Sequence, residues 1–367
     1  ISISLTHGNL SSRKKRHRFN YGLSKAIGSY GARSTYDSSN WTHTSALNLT
    51  SLSRCPSCSY LGWGNLYSLS EIMSATNGLA EENVIGIGDC YGIIYSGVLW
   101  DHTFVAVKNF PKEWPKSDMS SDFCSAYVGE FIAEVQALGR IRHKNVVKLL
   151  GYCMDQDYRM FVYEYVENGN LHKWLHKCAR SISPLSWNIR MKIIEGLAKG
   201  LAYLHEDTIP KVIHTDLKST SVLLDHQWTS KISGLRMTGF LVPARCSWTN
   251  QVMETSGYIA PDDFLTEKSD VYSFGILIRE IITGRTPIDY SRPESEVVHL
   301  IEWVRSMVSS QNSCLVLDPK LPEKPTSKEL KRVLLIALRC VDPCPEDRPA
   351  MGDVIHMLEP QDRLLDA

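Results

Sequence analysis

The sequence predicts an α+β protein with two segregated lobes, because strand patterns gather in the first half of its folded region and helical apolar spacing dominates the second. The strand signal is clearest in Ile93-Ile94-Tyr95-Ser96-Gly97-Val98 and Phe104-Val105-Ala106-Val107-Lys108. These β-branched runs flank a polar turn at Asp101-His102 and read as a hairpin. The helical signal comes from Ile189, Ile193, Leu197, Leu201 and Leu204. It recurs in Val271, Phe274, Leu277, Ile278 and Ile281, ahead of a stop at Gly284.

The chain has 367 residues, 43% of them hydrophobic and 22% charged, which is ample apolar material for two lobes. Forty basic residues balance forty acidic ones, so nothing in the overall charge points to nucleic acid or an anionic surface as the main partner, and no nucleic-acid partner is expected. Ten cysteines lack the dense spacing of a secreted disulfide scaffold, which favours a reduced, cytosolic setting. Cys55 and Cys58 form a C-x-x-C with no second pair at zinc spacing and read as a chance pair in a linker. No window reaches the roughly 18 to 20 apolar residues of a membrane-spanning helix, so the chain as given reads as soluble and cytoplasmic. It starts at Ile1 with no signal-peptide layout, which reads as a fragment whose start lies upstream.

Residues 1–66 are rich in Ser, Thr, Asn, Gly and basic residues, a composition that predicts a disordered arm. Its run Arg13-Lys14-Lys15-Arg16-His17-Arg18 has three readings: an anionic-lipid contact, a nuclear address, or a solvated patch. Sequons at Asn9, Asn40 and Asn48 are expected by chance in so Ser/Thr-rich a segment. From Tyr67 the apolar patterning marks a folded domain over 67–360, followed by a tail at 361–367.

Before the hairpin lies Gly86-Ile87-Gly88-Asp89-Cys90-Tyr91-Gly92, a glycine-rich turn whose bare backbone suits phosphates. V-A-V-K follows, ending at Lys108, and then a helical stretch from Glu130 to Val135 that carries Glu134. A strand lysine held by a helical glutamate grips the α- and β-phosphates of ATP. Further on stand His214-Thr215-Asp216-Leu217-Lys218-Ser219-Thr220-Ser221, Ala260-Pro261-Asp262 and Asp270-Val271-Tyr272-Ser273-Phe274-Gly275.

In order and spacing these motifs resemble the eukaryotic protein kinases, from Tyr67 to about Pro360. Arg142 to Cys153, Glu164 to Leu171, Asp289 to Pro293 and Ala337 to Pro343 are similar to plant receptor-like Ser/Thr kinases. The resemblance implies a small β-rich N-lobe over about 67–165, with one long helix (the family's αC), and a larger helical C-lobe over about 166–360. It implies ATP as cofactor and protein substrates or signalling partners. It also implies a parent protein at the cytoplasmic face of the plasma membrane, reached through an upstream span and with Arg13 to Arg18 as a juxtamembrane remnant. Position by position, Lys108 would hold phosphates, Glu134 would hold Lys108, Asp216 would accept the substrate hydroxyl proton and Lys218 would steady the phosphoryl group. Gly86, Gly88 and Gly92 would cover the phosphates. Ile94, Ala106 and Leu223 would sandwich adenine, the backbone of Glu164 and Val166 would bind its edge, and Tyr163 would lie behind it. Asp270 would anchor the catalytic loop, and Arg348 would pair with Asp262.

The same resemblance exposes losses. Magnesium in this family is held by an asparagine five residues after the catalytic aspartate and by the aspartate of D-F-G. Ser221 stands at the first position. D-F-G should follow Lys231-Ile232-Ser233, yet the chain runs on as Gly234-Leu235, and no aspartate lies between Asp225 and Asp262. Glu254, the one carboxylate in that window, sits beside Thr255 at a position unsuited to a metal. The glycine turn has one residue too many, an insertion near Pro111 to Ser121 separates Lys108 from its helix, and residues are missing after Pro261. No metal ligand set is therefore expected. Since losing one electrostatic donor commonly costs about 10²- to 10³-fold in rate, the losses predict an impaired kinase acting as a signalling scaffold. Two readings stay open beside it: an active kinase with atypical magnesium binding, and a decayed or mispredicted gene copy.

Overall fold

The computed structural model describes residues 64–88, 92–110, 121–155, 158–235, 257–289, 298–310 and 312–359, without the side chains of 121–130, 298 and 313. The N-terminal arm to residue 63 with its basic run, sequons and cysteine pair lies outside these residues. So do Asp89 to Tyr91, the insertion at 111–120, Glu254 with Thr255, and the tail at 361–367.

Six strands make the N-lobe sheet: β1 (Asn65–Leu66), β2 (Val84–Ile87), β3 (Ile93–Val98), β4 (Phe104–Asn109), β5 (Leu149–Met154) and β6 (Arg159–Glu164), in the order β1-β5-β6-β4-β3-β2. The expected hairpin is β3 and β4, antiparallel from Ile93↔Asn109 to Val98↔Phe104. Its turn is tied by the Asp101 carboxylate, which accepts from the Thr103 N–H at 3.0 Å. β1 lies just before the expected domain start at 67 and pairs with β5 in parallel. Its approach demands a glycine, because a Cβ on Gly151 would fall 2.0 Å from the Asn65 carbonyl oxygen.

Helix α1 (Leu69–Ala75) begins with a capping box, in which the Glu71 N–H donates to Ser68 Oγ at 3.3 Å and the Ser68 N–H donates to Glu71 Oε2 at 2.7 Å. It buries Ile72 against Val105, Val107, Met160 and Val162 on one sheet face. Helix α2 (Ser121–Arg140) covers the other face through Phe131, which stacks on Phe161 with ring centroids 4.9 Å apart.

The C-lobe is helical, built from α3 (Trp187–Ala202), α4 (Glu267–Thr283), α5 (Leu300–Ser309), α6 (Ser327–Cys340) and α7 (Met351–Leu358), with a short hairpin of β7 (Val222–Leu224) and β8 (Ser230–Ile232). The predicted apolar stripes fall on α3, continued by Leu204 in the π-helical turn Tyr203–Asp207, and on α4. Helix α4 is buried on nearly every side and closes at Gly284, in the left-handed conformation at φ 65°. Asn145 and Val147 join the lobes through β8: the Val147 N–H reaches the Ile232 carbonyl at 2.8 Å, and the Ile232 N–H returns to the Asn145 carbonyl at 2.9 Å.

Two buried arginines in this core differ in how they are satisfied. Arg190 donates to the Leu185 carbonyl at 2.9 Å, to the Ile281 carbonyl at 2.5 Å and to Asp318 at 2.5 Å. Arg279, also fully buried, has one hydrogen bond, to the Ala337 carbonyl at 3.2 Å, and among the described residues its Nε and Nη1 have no partner. Burial pulls its pKa down to about 10. An incompletely paired buried charge costs stability. Arg279→Met, which keeps the stem and removes the charge, is therefore expected to raise the thermal midpoint by several degrees. Asp318→Ala, which strands Arg190, is expected to destabilise by about 3–5 kcal/mol in urea unfolding.

Candidate active site

Lys108 enters the site from β4, opposite Ile94 on β3 and Phe161 on β6. Directly opposed residues of antiparallel strands point to one face, so Lys108 and Phe161 stand side by side. Phe131 stacks on Phe161, and Glu134 follows Phe131 by three residues along the same side of α2, 1% exposed. The aromatic stack thus brings Glu134 to the sheet face that carries Lys108. Lys108 Nζ also sits 5.2 Å from the centre of the Phe110 ring.

The glycine turn closes over this lysine. The Gly88 N–H donates to the Gly92 carbonyl at 2.7 Å, and a Cβ built on either glycine would lie 3.0 Å from Lys108 Cε. A side chain at either position would crowd Lys108, whose end would have to shift by a few tenths of an ångström. Gly86, opposite Ile94 at a bulge, has open space where a Cβ would go. Ile94, Ala106 and Leu223 are each half-buried, with Ala106 opposite Tyr163 across β4 and β6. Glu164 ends β6, its carboxylate held by the Lys148 N–H and by Lys231 Nζ, both at 2.9 Å. Val166 is buried, and its carbonyl accepts from the Gly169 N–H at 3.3 Å.

The loop carrying Asp216 hangs from Asp270, the fourth residue of α4. One Asp270 oxygen accepts from the His214 N–H at 2.7 Å and from His205 Nε2 at 2.9 Å, and the other accepts from the Thr215 N–H at 2.9 Å. This grip holds Thr215 at φ 67°, a conformation costly for a β-branched residue. Asp216 follows with one carboxylate oxygen 2.9 Å from Lys218 Nζ. Its other oxygen, Oδ1, is buried without a hydrogen-bond partner among the described residues.

The magnesium positions do not fit the ion. The Ser221 hydroxyl accepts from the Lys218 N–H at 3.0 Å and donates to the Lys218 carbonyl at 2.9 Å, so it is spent on its own turn. The second position is closed by backbone. Ser233 donates its N–H at 2.8 Å and its hydroxyl at 2.9 Å to the Ser221 carbonyl, and its own carbonyl faces His214 Nε2 at 2.9 Å. Gly234 then turns away at φ 81°. No carboxylate side chain joins Asp216 at this junction among the described residues.

Arg348 and Asp262 form a forked pair, two bonds of 2.7 Å, with the guanidinium fully buried. The sequence reading missed Ser233 as a fastener of the loop and missed His205 behind Asp270. The Ser at i+2 after a strand lysine carries no signal of its own, and His205 lies 65 residues from its partner.

A protein kinase domain model matches residues 79–358. An Arabidopsis thaliana protein named as a probable receptor-like serine/threonine-protein kinase is 46% identical over 82% of this chain and 68% of its own length. A second, named as a probable receptor-like protein kinase, is 45% identical over 93% of this chain and 69% of its own length. Among solved structures, the pseudokinase domain of BIR2, described as an immune regulator of the RLK/Pelle family, superposes with a TM-score of 0.58. It is 27% identical and covers 79% of this chain and 84% of that one.

The Arg348 bonds hold the Asp262 carboxyl below its ordinary pKa. A depressed folded-state pKa contributes stability that is complete above about pH 4, the unfolded aspartate value, and is lost as pH falls through the folded one. Asp262→Asn is expected to lower stability at neutral pH and to flatten the pH dependence below about pH 4, as read by urea unfolding across that range.

Proposed function

The chain belongs to the protein kinase family, in its receptor-like serine/threonine branch, and from that premise we propose that it is a catalytically impaired kinase, a signalling scaffold able to hold nucleotide without magnesium. The observation that carries the proposal is the Ser221 hydroxyl, bonded to both backbone groups of Lys218, beside a chain that passes from Ser233 to Gly234 with no acid between them.

Phosphoryl transfer relies on metal ions to neutralise the charge that builds on the β- and γ-phosphates. Of the groups that remain, Lys108 and Lys218 supply positive charge, and neither is a metal ligand. Lys108 beneath Gly88 and Gly92, with Ile94, Ala106 and Leu223 around the cleft and the Glu164 to Val166 backbone at its edge, is the set we assign to ATP. Asp216 and Lys218 keep the positions of the proton acceptor and its partner. We assign the parent protein to the cytoplasmic face of the plasma membrane, a reading supported by its likeness to receptor-like kinases; no described helix is long and apolar enough to cross a membrane. Its partners would be signalling proteins.

A second reading, an active kinase with magnesium held by other groups, is favoured by the buried, unpartnered Asp216 Oδ1 and by the intact Asp270 grip. A decayed copy is favoured by the incompletely paired Arg279.

Two measurements decide. With Mg-ATP and a basic protein substrate, phosphate incorporation is expected to equal that of the Asp216→Asn control; incorporation above the control overturns the impaired reading. In thermal unfolding, ATP is expected to raise the midpoint equally with and without magnesium. Insertion of Asp-Phe between Ser233 and Gly234, combined with Ser221→Asn, should make that shift magnesium-dependent. No shift with ATP in any form would remove nucleotide binding from the proposal.

A further inference from the structure

Beside the catalytic loop lies a cavity of about 160 Å³ bounded by His172, Lys218, Ser219, Tyr258, Glu280 and Pro287. Its polar wall is unusually concentrated. The Glu280 carboxylate, fully buried, receives His176 Nε2 at 2.7 Å and Ser219 Oγ at 2.8 Å on one oxygen, and the Tyr258 hydroxyl at 2.5 Å on the other. Ser219 Oγ lies 3.3 Å from His172 Nδ1. The two imidazole rings stand 4.7 Å apart, and one ligand atom from each of His172, His176 and Glu280 falls within 4.8 Å of the others.

We propose that His172, His176 and Glu280 form a binding site for a first-row transition-metal ion such as zinc, distinct from the magnesium positions of the kinase family.

The donor chemistry selects the ion. Two imidazoles and one carboxylate form a ligand set suited to zinc with a fourth position left open, whereas magnesium and calcium prefer all-oxygen shells. The cavity supplies room for that fourth ligand, a water. The backbone supplies the spacing: His172 and His176 are four residues apart, and the segment Lys173–Lys177 is a single π-helical turn, a feature that recurs at functional sites. Around a tetrahedral zinc with bonds of about 2.0–2.1 Å, ligand atoms stand about 3.3 Å apart, so the widest separation in the trio must close by up to about 1.5 Å while the His176 Nε2 contact to Glu280 opens by about 0.6 Å. The half-buried histidines can rotate toward the cavity while Glu280 stays fixed on α4. To coordinate, His176 carries its proton on Nδ1 and presents the Nε2 lone pair to the ion in place of the hydrogen bond to Glu280. Tyr258 donates its hydroxyl to the other Glu280 oxygen at 2.5 Å. It acts as the outer-shell partner that metal-bound carboxylates commonly have. A bound ion would tie four separate pieces together: the π turn, α4 and, through Ser219 and Tyr258, the catalytic loop and the segment that follows residue 256.

The test uses the full chain with Cys55→Ser and Cys58→Ser, which removes the competing thiol pair, after exhaustive chelation. Zinc is titrated against a chromophoric chelator. One equivalent is expected to bind, and His172→Ala and His176→Gln are each expected to weaken affinity at least about tenfold. His176→Gln retains a donor for Glu280, so a purely structural histidine would leave affinity unchanged. Excess magnesium should not compete. Cobalt added to the chain without the histidine substitutions should give the visible bands of a tetrahedral nitrogen–oxygen site. Absence of a bound equivalent, unchanged affinity in both histidine variants, or a cobalt spectrum with thiolate charge transfer would each overturn the assignment.

Discussion

The carboxylate of Asp270 is the point from which the site is suspended. It is 1% exposed and accepts from two consecutive backbone N–H groups, at His214 and Thr215, while His205 steadies it from behind. A buried carboxylate is tolerated when its lone pairs are filled, and here the donors come from the loop it must hold. The residues on that loop, Asp216, Lys218, Ser219 and Ser221, inherit their positions from this attachment. Helix α4 can serve as the attachment because it is buried nearly all round and closed by caps at both ends. A helix in that position can neither slide nor fray without opening the core.

The same helix carries a second buried acid ten residues on. Asp270 and Glu280 face opposite sides of the loop, one holding its entry through backbone groups and the other meeting Ser219, beyond Lys218. The stretch from His214 to Ser219 is therefore fixed at both ends by one rigid element, and its geometry survives losses elsewhere in the cleft. This explains how a loop can keep the arrangement of an enzyme while its neighbours no longer do. Ser221 and Ser233 add to the rigidity by bonding to backbone, using hydroxyls where a metal site would need carboxyl or amide oxygens.

The fold was legible because its signals are local. Alternation in Ile93 to Lys108 and the apolar stripes of α3 and α4 follow from the periods of strand and helix, and the hairpin, the helices and the place of Lys108 appear where they were expected. The pairing of Arg348 with Asp262 was legible only through the family resemblance, since 86 residues separate the two. What stayed hidden was either global or a matter of side-chain direction. The capping box at Ser68 and Glu71 is readable as S-x-x-E, yet it lies at a boundary where composition changes and was passed over. The inward turn of the Ser221 hydroxyl depends on a 3-10 turn that no period announces. His172 and His176 read as an ordinary i, i+4 pair until Glu280, 104 residues after His176, completes the group. Arg279 was invisible for another reason: one charged residue in an apolar stripe looks like the solvent face of a helix, and α4 has none there.

The backbone at Gly234 bears on how such a chain changes over time. At φ 81° it occupies a region that glycine enters freely and side-chain-bearing residues enter at a cost of roughly 1–2 kcal/mol. The preceding residue has its N–H, hydroxyl and carbonyl all engaged. A single codon change at either position therefore meets a penalty before it yields an acid aimed at the phosphates. If the chain is the impaired kinase proposed above, the junction works as a ratchet: recovering an acid there starts against that conformational cost, whereas changes elsewhere on the surface do not.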